Sequence, residues 1–312
     1  MILINSAQSI LSIVLMIGIG YVLTLKKWFD ANTSKLFSKI VVNIALPALM
    51  LSNLLGTFTR QNLSQAGIGI LIPFISMLAS FAVSIILSKL LKVSSDRKGT
   101  FQTMFFLSNT IFIGLPVNLA LFGEASVPFV LYYYFSNTTI FWTLGVYLIR
   151  KDGGADNFKL LSVDAIKKIL NPPLLGFLLA LALIFLNIKL PSFIMDTCKY
   201  LGNLTTPLSM LFIGITINSI SFKNFKFDKS MFGVLAGRFL VSPLITYIFA
   251  ILFSADKLMK SVFLIQSALP VMANAAIITK EYNADYEYAS IMIAVTTIAS
   301  LFFIPIYRFI AG

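Results

Sequence analysis

Ten stretches of apolar sequence dominate this chain: 7–25, 36–56, 67–88, 100–122, 128–149, 171–188, 200–221, 231–253, 261–280 and 289–308. Each is nearly free of charge and has about the 20 residues a helix needs to cross the hydrocarbon of a bilayer. A backbone in hydrocarbon must satisfy its own hydrogen bonds, and helices do so within one segment. A β-barrel would instead show strands of about ten residues with alternating polarity. The run Leu178, Leu179, Ala180, Leu181, Ala182, Leu183 has no such alternation. Charged residues make up 12% of the chain, half the roughly 25% of a soluble domain. The expected fold is an all-α integral membrane protein with ten transmembrane helices. The first stretch does not read as a cleavable signal, since the first basic residue, Lys26, follows it and no small-x-small site closes it.

Basic residues set the expected orientation. The connections after stretches one, three, five, seven and nine, with their flanks, hold 17 Lys and Arg, against six on the other side. The first set includes Lys26, Lys92, Arg150, Lys226 and Lys280; the second includes Arg60 and Lys189. That split places the first set in the cytoplasm and both termini outside, in a multi-pass protein of the cell membrane. The net charge of +12 is then a topology signal and an attraction to the anionic inner leaflet. The bilayer is the expected partner and nucleic acid is not.

The composition also removes chemistry. Cys198 is the only cysteine and there is no histidine, so a disulfide scaffold, most zinc sites and His-based triads are excluded. All twelve carboxylates, Asp30 to Glu287, fall in loops or at segment ends. A carboxylate proton relay or an intramembrane aspartyl protease needs one or two at mid-membrane. No metal, no cofactor and no enzyme activity are expected. Arg238 is the sole charge within a span. Either it snorkels to the inner interface, or it is a fixed positive charge that concentrates an anionic substrate.

The longest connection, 150–170, divides five stretches from five, giving a first repeat at 1–149, a cytoplasmic linker, and a second repeat at 171–312. An odd number per half inverts the second half in the membrane. Internal similarity supports a duplication. Asn43, Pro47, Met50 and Leu51 have the spacing of Asn203, Pro207, Met210 and Leu211, so the four pairs share one offset. Phe122-Gly123 and Tyr282-Asn283 close stretches four and nine at that same offset. In the linker, Phe158, Leu161, Val163, Ile166, Ile169 and Leu170 lie among charges, as in a short interfacial helix.

Helix breakers locate the candidate site. Stretch four carries Ser108, Asn109, Thr110, Gly114 and Pro116 near its middle; stretch nine carries Pro270 and Asn274. Broken helices at matching places in inverted halves mark transporter binding sites. Freed amides and half-helix N-termini attract anions. Asn137, Thr138 and Ser52 are further intramembrane polar groups, each either a ligand for substrate or an interhelical hydrogen bond. Pro47 and Pro207, each four residues after an asparagine, read as structural kinks or hinges. Tyr132, Tyr133 and Tyr134 read as an aromatic belt at the outer interface, and Gly18 and Gly20 as a packing feature.

The runs Ser108 to Pro116, Ala268 to Pro270 and Lys280 to Asn283 resemble the auxin efflux carrier family, which includes the plant PIN-type carriers and bacterial carriers of small organic acids. The resemblance covers all ten stretches and implies two inverted five-helix repeats with broken, crossing helices four and nine. It implies a scaffold of helices 1, 2, 6 and 7 and a moving transport part of helices 3–5 and 8–10. By position, Asn109 matches the carboxylate-binding asparagine of the family and Pro270 its second crossover proline. Ser108 stands where plant members have proline. The short linker resembles the bacterial branch, for which malate, malonate and related acids are the expected substrates, with a homodimer as the assembly to look for.

The leading expectation is therefore a secondary transporter of small organic anions by an elevator-type alternating access. The alternatives are a sodium-coupled symporter of the related bile-acid type, with sodium on broken-helix carbonyls and Asn, Ser and Thr oxygens, and then a channel or a membrane sensor. A channel should show rings of polar residues, and a sensor a soluble domain. An inside-negative potential drives anions outward by about 2.3 kcal/mol per charge per 100 mV, so uncoupled transport would be efflux. The orientation has a direct test. Cysteine placed at Arg60 should react with an impermeant reagent from outside intact cells, and cysteine at Lys226 only after the membrane is opened; the reverse pattern would overturn it.

Overall fold

The structure, a computed structural model, describes residues 2–57, 66–154, 163–219 and 227–311. Arg60, Lys223, Lys226 and the start of the expected interfacial helix, with Phe158 and Leu161, lie outside the described residues. The described residues are helical apart from turns and one isolated β-bridge. Helix α1 spans Ile2–Leu25. Stretch two is α2 (Ala31–Ile40) and α3 (Leu46–Thr57), joined without interruption by a π-turn at Val41–Ala45. Stretch three is α4 (Ala66–Leu90). Stretch four is two half-helices, α5 (Lys98–Phe106) and α6 (Gly114–Phe122). Stretch five is α7 (Val127–Ile140) and α8 (Val146–Asp152), joined by a second π-turn. Helix α9 (Val163–Ile169) lies in the linker.

In the second half, α10 (Pro172–Phe185) starts on an Asn171 cap with proline in its first turn, where the missing amide costs no intrahelical bond. Stretch seven is α11 (Ser192–Gly202) and α12 (Thr205–Asn218), interrupted at Asn203 and Leu204. Stretch eight is α13 (Lys229–Ala236) and α14 (Ser242–Leu252), joined by a π-turn at Gly237–Val241. Stretch nine is again two half-helices, α15 (Lys257–Ser267) and α16 (Asn274–Glu281), and stretch ten is α17 (Tyr286–Ala311). Among the described residues, five helical stretches are long and apolar enough to cross a membrane; Leu11–Leu25 and Pro172–Phe185 are shorter apolar helices. Large apolar side chains such as Leu15, Leu90, Phe193, Leu252, Phe302 and Phe309 are exposed, as a lipid-facing surface requires.

The interval seen in the sequence recurs in the backbone. Residues of positive φ close turns at Lys27 and Asn187, at Lys92 and Ser254, and at Gly123 and Asn283. The first and third pairs keep the offset of the sequence repeat, and the second departs from it only slightly. A left-handed residue is costly except at glycine and, less so, asparagine, so such turns are sparse markers. Among the described residues only Gly154 has positive φ without a counterpart at this interval. The two helix breaks also correspond, with Gly114 and Asn274 starting α6 and α16 at the same offset.

The helices divide into two compact units. The first comprises Met1–Gly67, Ile111–Leu131 and Ile169–Ser219. Here glycines let backbones approach. A Cβ on Gly20 would lie 2.9 Å from Leu211 Cα, one on Gly176 2.7 Å from Pro47 Cα, and one on Gly202 2.9 Å from Leu49 Cα. These contacts bring α1 onto α12 and α10 and α11 onto α3, the small-residue packing that substitutes for a hydrophobic drive in lipid. Gly18 has no such neighbour. Asn43 and Asn203 are both exposed. Asn43 donates to the Lys39 carbonyl at 2.8 Å inside the π-turn. Pro47 and Pro207 fall just after the π-turn and just after the interruption.

The second unit comprises Ile68–Thr110, Tyr132–Lys168 and Ile220–Gly312. Tyr132, Tyr133 and Tyr134 lie in it and are 3%, 1% and 8% exposed, so they are not an interfacial belt. The Tyr132 ring sits against Gly69, and Tyr133 meets Phe263 with ring centres 5.9 Å apart. Charges gather at the start of α5. Arg97 pairs with Asp228 at 2.8 Å and Asp285 at 3.3 Å and lies over the Tyr288 ring. Asp152, beyond the end of stretch five, accepts from the amides of Gly99 and Thr100 at 2.7 and 2.6 Å and from the Thr100 hydroxyl at 2.8 Å.

Burial nevertheless pushes the Asp152 carboxyl up to about 6, against the pull of those three donors. A carboxyl raised on folding stabilises the fold most when protonated, below its unfolded value near 4, and loses that contribution as pH rises through about 6. Relative to Asp152→Asn, the parent should therefore lose stability between pH 4 and pH 7, by no more than about 3 kcal/mol. Thermal unfolding of both proteins across that range checks this; a difference independent of pH would contradict it.

Candidate substrate site at the helix crossover

Both broken helices release peptide groups, and the second unit satisfies several of them. Residues 107–113 and 268–273 leave the helical path. They meet in an antiparallel bridge between Ser108 and Val271, with the Asn109 amide donating to the Pro270 carbonyl at 2.9 Å. Asn137, on α7, acts as a surrogate peptide for Ser108. Its Oδ1 accepts from the Ser108 amide at 3.0 Å and its Nδ2 donates to the Ser108 carbonyl at 3.1 Å. Thr296, on α17, does the same for the second break, its hydroxyl accepting from the Val271 amide at 3.1 Å. Gln266 Nε2 donates to the Thr110 carbonyl at 3.4 Å.

Stretch eight closes the C-terminal ends of both half-helices. Ser242 donates to the Phe105 carbonyl of α5 at 3.3 Å. Arg238, inside the π-turn, donates through Nε to the Leu269 carbonyl at 3.0 Å and through Nη2 to the Ser267 carbonyl at 2.5 Å. Arg238 has no exposed surface. The snorkelling reading therefore fails, because the guanidinium turns inward to the carbonyls that the break in stretch nine leaves open. The Tyr133 phenol is near enough to interact with it electrostatically, and lies towards the Ser108 and Thr246 hydroxyls.

Four buried atoms of this region have no hydrogen-bond partner among the described residues: Ser108 Oγ, Thr138 Oγ1, Gln266 Oε1 and Arg238 Nη1. Many other Ser and Thr in these helices back-bond to the preceding turn, as Ser76 does to Ile72 at 2.6 Å, Thr143 to Thr139 at 2.7 Å and Thr297 to Ile293 at 2.6 Å, whereas Thr139, Thr205 and Ser209 also bury a hydroxyl without a partner among the described residues. An unsatisfied buried polar atom costs about 1–3 kcal/mol. Three of the four groups, the two hydroxyls and the guanidinium nitrogen, can donate to an anion.

Of the residues singled out from sequence, Ser108, Asn109, Thr110, Pro270, Asn137 and Thr138 are buried in the second unit. Asn274 is half-buried at the first position of α16. Ser52 belongs to the first unit and back-bonds to Leu49 at 3.3 Å. Gly114 and Pro116 also belong to the first unit, at the first and third positions of α6. Pro116 therefore removes no intrahelical bond, since the first amides of a helix have no partner to lose. Thr296 and Gln266 escaped the sequence reading, although Thr296 follows Ser136 at the offset of the repeat. Arg238 was legible as the one intramembrane charge, but its carbonyl partners were not.

These bonds have measurable weights. Asn137→Ala strips the buried Ser108 amide of its acceptor and should lower unfolding free energy by about 2–3 kcal/mol. Thr296→Val, which keeps the volume, should cost about 1–3 kcal/mol by orphaning the Val271 amide. Thermal unfolding in detergent reads both; losses under about 0.5 kcal/mol would show that the breaks are held otherwise.

Comparison with known proteins fits this architecture. The sequence profile of the membrane transport protein family matches residues 6–308. An uncharacterized transporter of Methanothermobacter thermautotrophicus is 26% identical over 311 residues, covering 98% of this chain and 99% of its own. An uncharacterized transporter of Methanocaldococcus jannaschii is 28% identical over 313 residues, covering 96% and 97%. The chain belongs to the membrane transport protein family, the auxin efflux carrier family that its crossover motifs resemble, and is a multi-pass membrane transporter, not an enzyme.

Proposed function

We propose that the protein is a secondary transporter of small organic anions, carboxylates such as malate and malonate or auxin-like acids, bound at the crossover of stretches four and nine. The observation that carries this reading is the group of buried donors there that make no hydrogen bond, Ser108 Oγ, Thr138 Oγ1 and Arg238 Nη1. A carboxylate has two oxygens and about four acceptor sites, and charge-assisted bonds to it are strong. Asn109, whose amide backbone joins the two breaks, is the further carboxylate ligand carried by the family resemblance. Pro270 holds the second break, and Asn274 lies where α16 begins.

The transport cycle we propose is an elevator. The division of the chain supports it. One unit holds α1–α3 and α10–α12, and the other holds the Ser108–Val271 bridge with α4, α5, α8 and α13–α17. The spacing of the positive-φ turns supports an inverted duplication, whose two halves can exchange conformations to face either side. Residues 111–131 group with the first unit, so the moving body in this reading sheds α6 and the start of α7 from the sequence-based division. Both termini lie outside, and uncoupled export of the anion follows the membrane potential.

Proteoliposomes loaded with labelled malate or malonate test the reading. The parent should exchange one of them, and Asn109→Ala should bind it more weakly by about 1–3 kcal/mol with unchanged thermal stability. Asn109→Ala binding as tightly as the parent would move the site to Asn274. A disulfide between stretch two and the α5 half of stretch four should stop exchange reversibly; full activity with the link in place would argue for a local gate.

A further inference from the structure

A cation coupled to this crossover would need oxygen ligands, and the end of α15 is where the chain exposes them. The last turn of a helix leaves carbonyls unpaired and carries partial negative charge. The break after Ser267 sets that end inside the protein, at the bridge between the two interrupted helices. The carbonyls of Ser267 and Leu269 are already engaged by the guanidinium of Arg238, through Nη2 and Nε. Arg238 has no exposed surface, and its contacts are carbonyls rather than a carboxylate. The half-helix end neutralises only about half a charge, which leaves a net positive charge beside the bridge. Nη1, the remaining guanidinium nitrogen, is buried without a partner. The π-turn at Gly237–Val241 is the local device that turns this side chain inward, and such turns often mark functional positions.

We propose that Arg238 is a tethered counter-cation of the crossover: its guanidinium fills the carbonyl site at the end of α15 that a free monovalent cation would otherwise occupy, and its third nitrogen is left to the carboxylate in transit. The protein then moves its acid without sodium, because the positive charge that a symporter borrows from solution is part of the chain. The carboxylate half of this inference rests on the proposed anion transport; the cation half does not.

Two measurements on the full-length protein separate the halves. The first is thermal unfolding in detergent, in sodium chloride against choline chloride. The parent should melt at the same temperature in both. Arg238→Ala should melt lower, and sodium or millimolar guanidinium, but not choline, should recover part of the loss. Arg238→Lys, which keeps the charge but not the fork, should melt between the two and ignore sodium. A sodium-specific rise in the parent, or an Arg238→Ala protein as stable as the parent or deaf to both cations, would overturn the cation site.

The second is exchange of labelled malonate and malate in proteoliposomes. Parent exchange should be equal in sodium and choline media. It should drop at least tenfold in Arg238→Ala and recover in part with sodium or guanidinium. Undiminished exchange by Arg238→Ala, or parent exchange that requires sodium, would overturn the role of the arginine. A parent that exchanges neither acid would strike the anion reading itself, while the melting experiment still decides the cation site.

Discussion

An interrupted helix inside a bilayer releases peptide groups that no water can satisfy, and each left unpaired costs several kcal/mol. The bridge between Ser108 and Val271 is held because the second unit supplies such partners from three other stretches. Asn137 serves Ser108, Thr296 serves Val271, and Arg238 serves Ser267 and Leu269. The two breaks also serve each other, through the Asn109 amide and the Pro270 carbonyl. Remove these bonds and the chain has reason to close both helices into continuous spans, with no site between them.

The same constraint explains why the site is polar without holding a carboxylate. Asparagine, threonine and serine can replace a peptide bond partner without adding charge, so the breaks are satisfied while the surroundings stay neutral. The one formal charge is positive and is divided between helix-end carbonyls and an unpartnered nitrogen. This is the basis on which we propose an anion, which can accept from several donors at once, as the occupant. The acidic groups sit instead at the ends of spans. There Asp152 caps the start of α5, and Arg97 ties Asp228 and Asp285 together. These contacts hold the outer end of the half-helix whose inner end builds the site.

Much of this was legible in the sequence because hydropathy and helix breakers act locally. The stretches correspond to helices, and the breaks fall beside Ser108, Asn109 and Pro270 as the clustered polar residues indicated. What the sequence could not carry depends on helix rotation and on distant partners. Whether Arg238 reaches water or a carbonyl is decided by a π-turn, which has no sequence signature. Tyr132 to Tyr134 looked interfacial by composition, yet Gly69 and Phe263 provide buried places for two of the rings. Pro116 looked like a kink, but the break precedes it, so it begins a half-helix. Ser52 looked equivalent to the other intramembrane polar residues until its contacts placed it in the first unit.

The central claim is that a carboxylate completes the hydrogen bonding of the crossover. A structure of the purified protein with a heavy-atom-substituted form of its transported acid would test this most directly. The account requires the carboxylate oxygens to lie within hydrogen-bond distance of Arg238 Nη1 and at least one of the Ser108 and Thr138 hydroxyls. An acid bound outside the second unit, with those three groups still unpartnered, would contradict it.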